Sequence, residues 1–342
     1  MATPRSQIVD ESVTPWYHCI SRCVRRARLC GEGRGHRKDW IVDRLRELVG
    51  IFAVDCGGFA AMDNHLHLLL RLDSPRARGW SDEEVARRWL TLHPLRDAAG
   101  AALPVTPERV RRFAADAAWV GRMRCRLADL GWFMKSLKEP LARAANREDG
   151  CTGAFWEGRF RSVPVLDEEG LLAVAVYIDL NPFAAGAAAT PEAARHTSLR
   201  TRLDQPHPDG ATSPSPDIDR TPRREADKRL CDQDLWLSPT DDRGEEGGRY
   251  GLAPGYTLVH HLRLVDAASR LDREGKARLP RDAASIFERL DLDASRWLEA
   301  FEAIHRRRPA ARLGHPRPPL PRRTSPIWRS PRPSSPTVAL HP

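Results

Sequence analysis

The sequence predicts an α+β domain built on an antiparallel sheet. Three observations predict it: short runs rich in aromatic and β-branched residues, amphipathic helical stretches between them, and one pair of runs joined by a tight turn. Residues 16–24 (WYHCISRCV) read as the first strand. Residues 39–54 read as a helix, with Asp39 at the N-cap and Ile41, Leu45, Leu48 and Phe52 at helical spacing; Gly57-Gly58 breaks it. Residues 58–63 and 65–72 read as two strands around a turn at Asp63-Asn64, both good turn residues. Residues 127–147 form an amphipathic helix whose stripe is Leu130, Phe133, Met134, Leu137 and Leu141. Residues 155–166 (FWEGRFRSVPVL) read as a strand, and 167–181 as a helix capped by Asp167 and stopped by Pro182. The order is βαββαβ plus a last helix, a ferredoxin-like pattern with an antiparallel sheet.

This domain is expected over 13–186, with an insertion at 73–126 in which SDEEVARRWLTLHPL carries a serine cap and first-turn acids. Residues 187–249, polar and rich in Pro, Asp and Ser, read as a flexible linker. Residues 250–305 show helical spacing at Ile286, Phe287, Leu290 and at Trp297, Leu298, Phe301, and read as a small C-terminal helical accessory module. The tail, 306–342, reads as disordered, basic and Pro/Arg-rich.

The formal net charge is +9, and the tail alone has nine arginines and no acid, so the remainder balances. One folded segment is locally basic: Arg22, Arg25, Arg26, Arg28, Arg34, Arg37 and Lys38 against Glu32 and Asp39. Such a cluster suits a phosphate backbone, or else a solvated loop. The seven cysteines form no CxxC and are odd in number, which favours free thiols over a zinc site or disulfide framework. The start, MATPRSQIVDES, does not read as a signal peptide, and the apolar run near Leu171–Val176 is too short to span a bilayer. A cytoplasmic protein is the expectation.

Two segments carry chemistry. In MDNHLHLLLRL (62–72), His65 and His67 fall on one face of a strand and Leu66, Leu68, Leu70 and Leu72 on the other. Adjacent imidazoles form half of a divalent-metal site; two polar residues on an open sheet face fit the same spacing. In VYIDLNP (176–182), Tyr177 and Asn181 stand four apart on a helix and face the same way. Together they offer a nucleophile and a third metal ligand. A phenol, with a pKa of about 10, attacks poorly at neutral pH, and a metal that polarises and orients the target phosphate offsets this. Attack forms a phosphotyrosine and frees a 3′ hydroxyl, which can later rejoin strands. Taken alone, Tyr177 also fits a core residue with a wet hydroxyl. Arg159 and Arg161, near Trp156 and Phe160, are candidates to hold a DNA backbone and stack bases, as are Lys135, Lys138 and Asn146 on the preceding helix.

Four stretches, YHCISRCVRRARLCG (17–31), AMDNHLHLLLRL (61–72), LGWFMKSLKEPLARAANRE (130–148) and GAFWEGRFRSVPVLDEEGLLAVAVYIDLNPFAAG (153–186), together and in this order resemble the REP-associated tyrosine transposases, relatives of the insertion-sequence HUH transposases. The resemblance covers about 17–186, and 250–305 looks like the C-terminal extension of longer members. It implies a ferredoxin-like HUH nuclease domain. His65 and His67 match the metal-binding pair, Tyr177 the catalytic tyrosine of a YIxxNP motif, and Asn181 the third ligand. It implies Mg²⁺ or Mn²⁺ as cofactor, with single-stranded DNA and imperfect hairpins from repetitive extragenic palindromes as substrates. A homodimer and a monomer both fit. Asp63 stands where the family often has Pro, and NPFAAG at 181–186 stands where the family often has NPVRAG, so Ala184 lacks the arginine that would offer a phosphate or helix-end contact.

The expected function is a metal-dependent transposase that cleaves and rejoins single-stranded or hairpin DNA, with Arg22, Arg25, Arg26, Lys135, Lys138, Arg159 and Arg161 as DNA contacts that set position rather than sequence. The alternative is a non-catalytic, domesticated binder of palindromic repeat DNA. It gains nothing from keeping His65, His67, Tyr177 and Asn181 together. A replication initiator or relaxase is a third reading; Tyr177 is the lone tyrosine between 18 and 249, which favours single-tyrosine chemistry.

Overall fold

The computed structural model describes residues 9–204, 236–240, 249–256 and 258–271. Four strands, β1 (Trp16–Arg22), β2 (Val54–Ala61), β3 (His65–Leu72) and β4 (Arg161–Pro164), form one antiparallel sheet in the order β2-β3-β1-β4. Chain alternation sends Tyr17 and Cys19 of β1 and Leu66, Leu68, Leu70 and Leu72 of β3 to one face, and Trp16 and Leu69 to the other. Each face has its own buried cluster, so the sheet is the middle of three layers.

On the first face lie α1 (His36–Ile51) and α6 (Leu130–Glu148), which present Leu45 and Leu48 and Phe133, Met134 and Leu137 to the sheet. Between β3 and α6 come α2 (Ser74–Gly79), α3 (Asp82–Leu92), α4 (Pro107–Ala114) and α5 (Ala117–Leu127). Each opens on a side-chain cap: Asp73, Ser81, Thr106 and Asp116 accept from backbone N–H groups three residues on. Val85, Val120 and Met123 of this segment enter the first core, so the expected insertion packs as part of the domain. Pro140 lies inside α6 and leaves the Ser136 carbonyl without its helical donor; Arg44 of α1 donates Nε–H to that oxygen at 3.2 Å.

On the second face lies α7 (Glu168–Ala184), capped by Asp167, whose carboxylate accepts from Gly170 N–H at 2.8 Å. Eleven of its residues are buried, so it is apolar nearly all round. α8 (Ser198–Leu203) and α9 (Leu258–Ser269) pack around it through Leu199, Leu264 and Val265.

Several expectations are corrected. α1 begins at His36 rather than at Asp39, whose carboxylate instead accepts from His196 Nε2 at 2.9 Å. Gly57-Gly58 lies inside β2, at a bulge between Cys56 and Gly58, because α1 has already ended at Ile51. α7 runs past Pro182 to Ala184: a proline in the last turn costs one hydrogen bond, and Ala185 N–H still closes on the Asn181 carbonyl at 3.0 Å. β4 spans only Arg161–Pro164, so Arg159 precedes the strand instead of sharing it with Arg161. The segment 187–249, expected as a linker, contains α8, and Trp236 and Leu237 are buried, with Ser238 N–H bonded to the Cys56 carbonyl. Its polar composition hid a few apolar anchors. Of the expected accessory module, 250–256 and α9 pack on α7. The rest of that module, most of 205–248 and the tail lie outside the described residues.

Candidate active site

Strand alternation on β3 places His65 and His67 on the α7 face, opposite the leucines. That face is not open. His67 is buried, His65 is half-buried, and their rings meet edge to face with centroids 4.8 Å apart. Tyr177 of α7 packs edge-on against His67 at 5.6 Å between ring centroids. Asn181 follows one helical turn later on α7 and is half-buried. Two segments more than a hundred residues apart are thereby brought together.

A third imidazole belongs to the cluster, and sequence reasoning missed it. His18 of β1 alternates with Tyr17 and Cys19 and so faces α7. It stacks on His67 with centroids 5.1 Å apart, meets Tyr177 edge-on at 6.0 Å, and its Nε2 lies 2.9 Å from His67 Nδ1. Burial, reinforced by the Arg161 charge, lowers the His18 pKa to about 3, which keeps the ring neutral. The only signal was its position within YHCISRC; that β1 lies beside β3 was not legible from the strand alone.

The turn that carries His65 also holds the basic loop. Asn64 Oδ1 is 2.6 Å from His65 Nδ1, while Asn64 Nδ2 donates to the Arg26 carbonyl at 3.2 Å. Backbone N–H groups of Cys23 and Cys30 donate to the carbonyls of Asn64 and Asp63, both at 2.8 Å. The loop bearing Arg25 and Arg26 is thus clamped onto the Asp63-Asn64 turn. Both arginines are exposed and both have positive φ, 53° and 55°, a conformation that disfavours side chains with a Cβ.

Arg22 sits opposite His65 in the β1–β3 register, and Arg161 sits opposite Ile20 in the β1–β4 register. Three other members of the expected basic cluster are paired within the protein: Arg37 is buried against Glu148 and Asp149, Arg34 pairs with Asp149, and Lys38 pairs with Asp63 at 2.6 Å, while Arg28 is exposed. Lys135 and Lys138 lie on α6, on the opposite side of the sheet from α7. Lys135 sits over the Trp132 ring and Lys138 over Trp156, with Lys138 Nζ donating to the Gly158 carbonyl at 2.9 Å. The structure does not bring these two lysines to the histidine–tyrosine cluster.

The imidazole pair offers nitrogen donors to a divalent metal. Each imidazole of the pair has Nδ1 beside a potential acceptor, Asn64 Oδ1 for His65 and His18 Nε2 for His67. A proton on Nδ1 puts the lone pair on Nε2, the tautomer a metal ligand needs. Among the described residues, no group of three His, Cys, Asp or Glu is arranged to hold a metal. By its chemistry the pair fits half of a divalent-metal site.

No protein-family model matches the chain, and no curated protein is significantly similar to it. Among solved structures, a REP-associated tyrosine transposase bound to a REP hairpin overlaps 61% of this chain and 91% of its own, with 12% identity and a TM-score of 0.32. A TM-score this low marks a distant likeness, from which neither fold nor function is assigned.

Proposed function

We propose that the chain is a metal-dependent DNA nuclease and strand-transfer enzyme of the HUH single-tyrosine type, acting on single-stranded or hairpin DNA. The observation that carries this reading is the meeting of His65, His67 and Tyr177 on one sheet face, from two distant segments. The strand order β2-β3-β1-β4, with α1 and α6 on one face, supports a ferredoxin-like domain as its frame.

In this reading Tyr177 Oη attacks a backbone phosphorus. The tyrosyl O–P bond forms, the P–O3′ bond breaks, and the phenolic proton leaves as the released 3′ oxygen gains one. His65, His67 and Asn181 would hold Mg²⁺ or Mn²⁺, which when bound supplies Lewis-acid polarisation of the phosphate. Arg22, Arg25, Arg26 and Arg161 flank the cluster and neutralise backbone phosphates, with Arg159 at the entry to β4. Repetitive extragenic palindromes are the proposed substrate class. Among the described residues no helix is long and apolar enough to cross a membrane.

The test is to incubate labelled hairpin DNA from the flanks of the gene with the protein and Mg²⁺ or Mn²⁺, then look for a covalent adduct on a denaturing gel. We expect an adduct that disappears in Tyr177→Phe and in EDTA. Tight hairpin binding with no adduct under either metal replaces the nuclease reading with that of a non-catalytic DNA binder. An adduct that persists in Tyr177→Phe refutes the choice of nucleophile.

A further inference from the structure

His65 and His67 are served by two different devices that do the same thing. Asn64 Oδ1, 2.6 Å from His65 Nδ1, is an amide oxygen and can only accept, so the His65 proton resides on Nδ1. His67 has no such neighbour in sequence. Its Nδ1 instead faces His18 Nε2 across the β1–β3 pair, at 2.9 Å. His18 is 2% exposed, so it reaches neither solvent nor DNA. Its stacking on His67 and edge contact with Tyr177 leave it touching both halves of the cluster.

We propose that His18 is a positioning residue for this site: its Nε2 accepts the Nδ1 proton of His67, fixing the ring's orientation and directing the His67 Nε2 lone pair to a divalent cation. The proposal rests on the reading of His65 and His67 as metal ligands. It requires the His18 proton to lie on Nδ1, and both rings to be neutral. An acceptor behind a ligating imidazole raises its basicity, and removing such a group costs about 10–100-fold in metal affinity.

The experiment measures Mn²⁺ binding to the full chain without DNA, by calorimetric titration, in wild type, His18→Phe and His18→Gln. Phenylalanine keeps the aromatic bulk and removes the acceptor, whereas the glutamine Oε1 stands where Nε2 stood. Apo thermal stability and metal-free hairpin binding are recorded alongside. The expected result is Mn²⁺ affinity weakened about 10–100-fold in His18→Phe, substantially recovered in His18→Gln, with metal-free hairpin binding unchanged in both. Equal Mn²⁺ affinity in wild type and His18→Phe overturns the proposal. So does loss in both variants in step with apo stability, since that marks a packing role.

Failure of wild type itself to bind Mn²⁺ overturns the underlying metal-site reading, a separate outcome. Histidine ¹⁵N spectra of the metal-free wild type need no folded variant: His67 protonated on Nδ1 is required, and His67 protonated on Nε2 overturns the proposal.

Discussion

Asp179 lies between Tyr177 and Asn181 in sequence but points the other way, into the interior. It is fully buried and accepts three hydrogen bonds: from Ser198 Oγ at 2.6 Å, the Leu199 backbone N–H at 2.8 Å, and His261 Nε2 at 2.8 Å. His261 Nδ1 in turn meets Tyr256 Oη at 2.8 Å. One carboxylate therefore ties α7 to the start of α8 and to α9, and it fixes the rotation of the helix that presents Tyr177. Removing it strands buried donors, each worth roughly 1–3 kcal/mol when left unsatisfied. Asp179→Ala is expected to lose about 3 kcal/mol or more of stability on this basis, read by equilibrium urea unfolding. A loss below ~1 kcal/mol would show that the network does not bind these helices together.

Among the elements, β2 holds a close approach of its neighbours at Gly57. A Cβ built on Gly57 would lie 2.6 Å from Trp16 Cζ3 and 2.9 Å from Leu252 Cδ2. Only glycine lets Trp16 of β1 and the segment around Leu252 close over the bulge. Gly58 is less confined, its nearest neighbour being Ser198 Oγ at 3.3 Å. Gly57→Ala should therefore destabilise by about 1–3 kcal/mol through overpacking, and Gly58→Ala by less, as compared in thermal unfolding. The reverse order would contradict this packing. The Asp63-Asn64 turn is the second such junction, since it holds the basic loop through two backbone hydrogen bonds and the Asn64 side chain.

For the whole molecule, the two cores meet across the sheet and the chain beyond α8 adds to both. Trp236 enters the α1–α6 core and Tyr256 the α7 core, while Arg202, buried, donates to the carbonyls of Gly57 and Ser238. Burial also holds several histidines neutral. The His18 pKa is lowered to about 3, first by burial and then by Arg161, and those of His93 and His196 are lowered chiefly by burial, from an ordinary 6.5. A histidine with a folded pKa below its unfolded value binds protons more tightly when unfolded. Its stability contribution is present above about 6.5 and is lost as pH falls below it. Glu148 and Asp149, depressed first by Arg37, act lower, beneath their ordinary 4.5 and 3.8. Urea unfolding is thus expected to give a midpoint that is level between pH 7 and 8 and falls from about 6.5 downward, with His18 contributing a stability loss of up to about 1.4 kcal/mol per pH unit. A midpoint unchanged from pH 7 to 5 would falsify this account.

The sequence by itself determined the local elements and which of their side chains share a face. Period-two and period-3.6 patterns gave strands and helices close to β1, β3, α1, α6 and α7, and alternation put His65 and His67 on one face. Helical spacing likewise set Tyr177 beside Asn181. Those are one-dimensional facts, fixed by backbone geometry within a few residues. Strand pairing and layer packing are not. That β1 lies beside β3 and carries His18 to His67, that α7 covers the histidine face, and that Arg37 is spent inside while Arg25 and Arg26 are displayed all depend on contacts between distant residues. The same limit explains 187–249, where a polar composition outweighed Leu199, Trp236 and Leu237, whose burial only the assembled sheet edge provides.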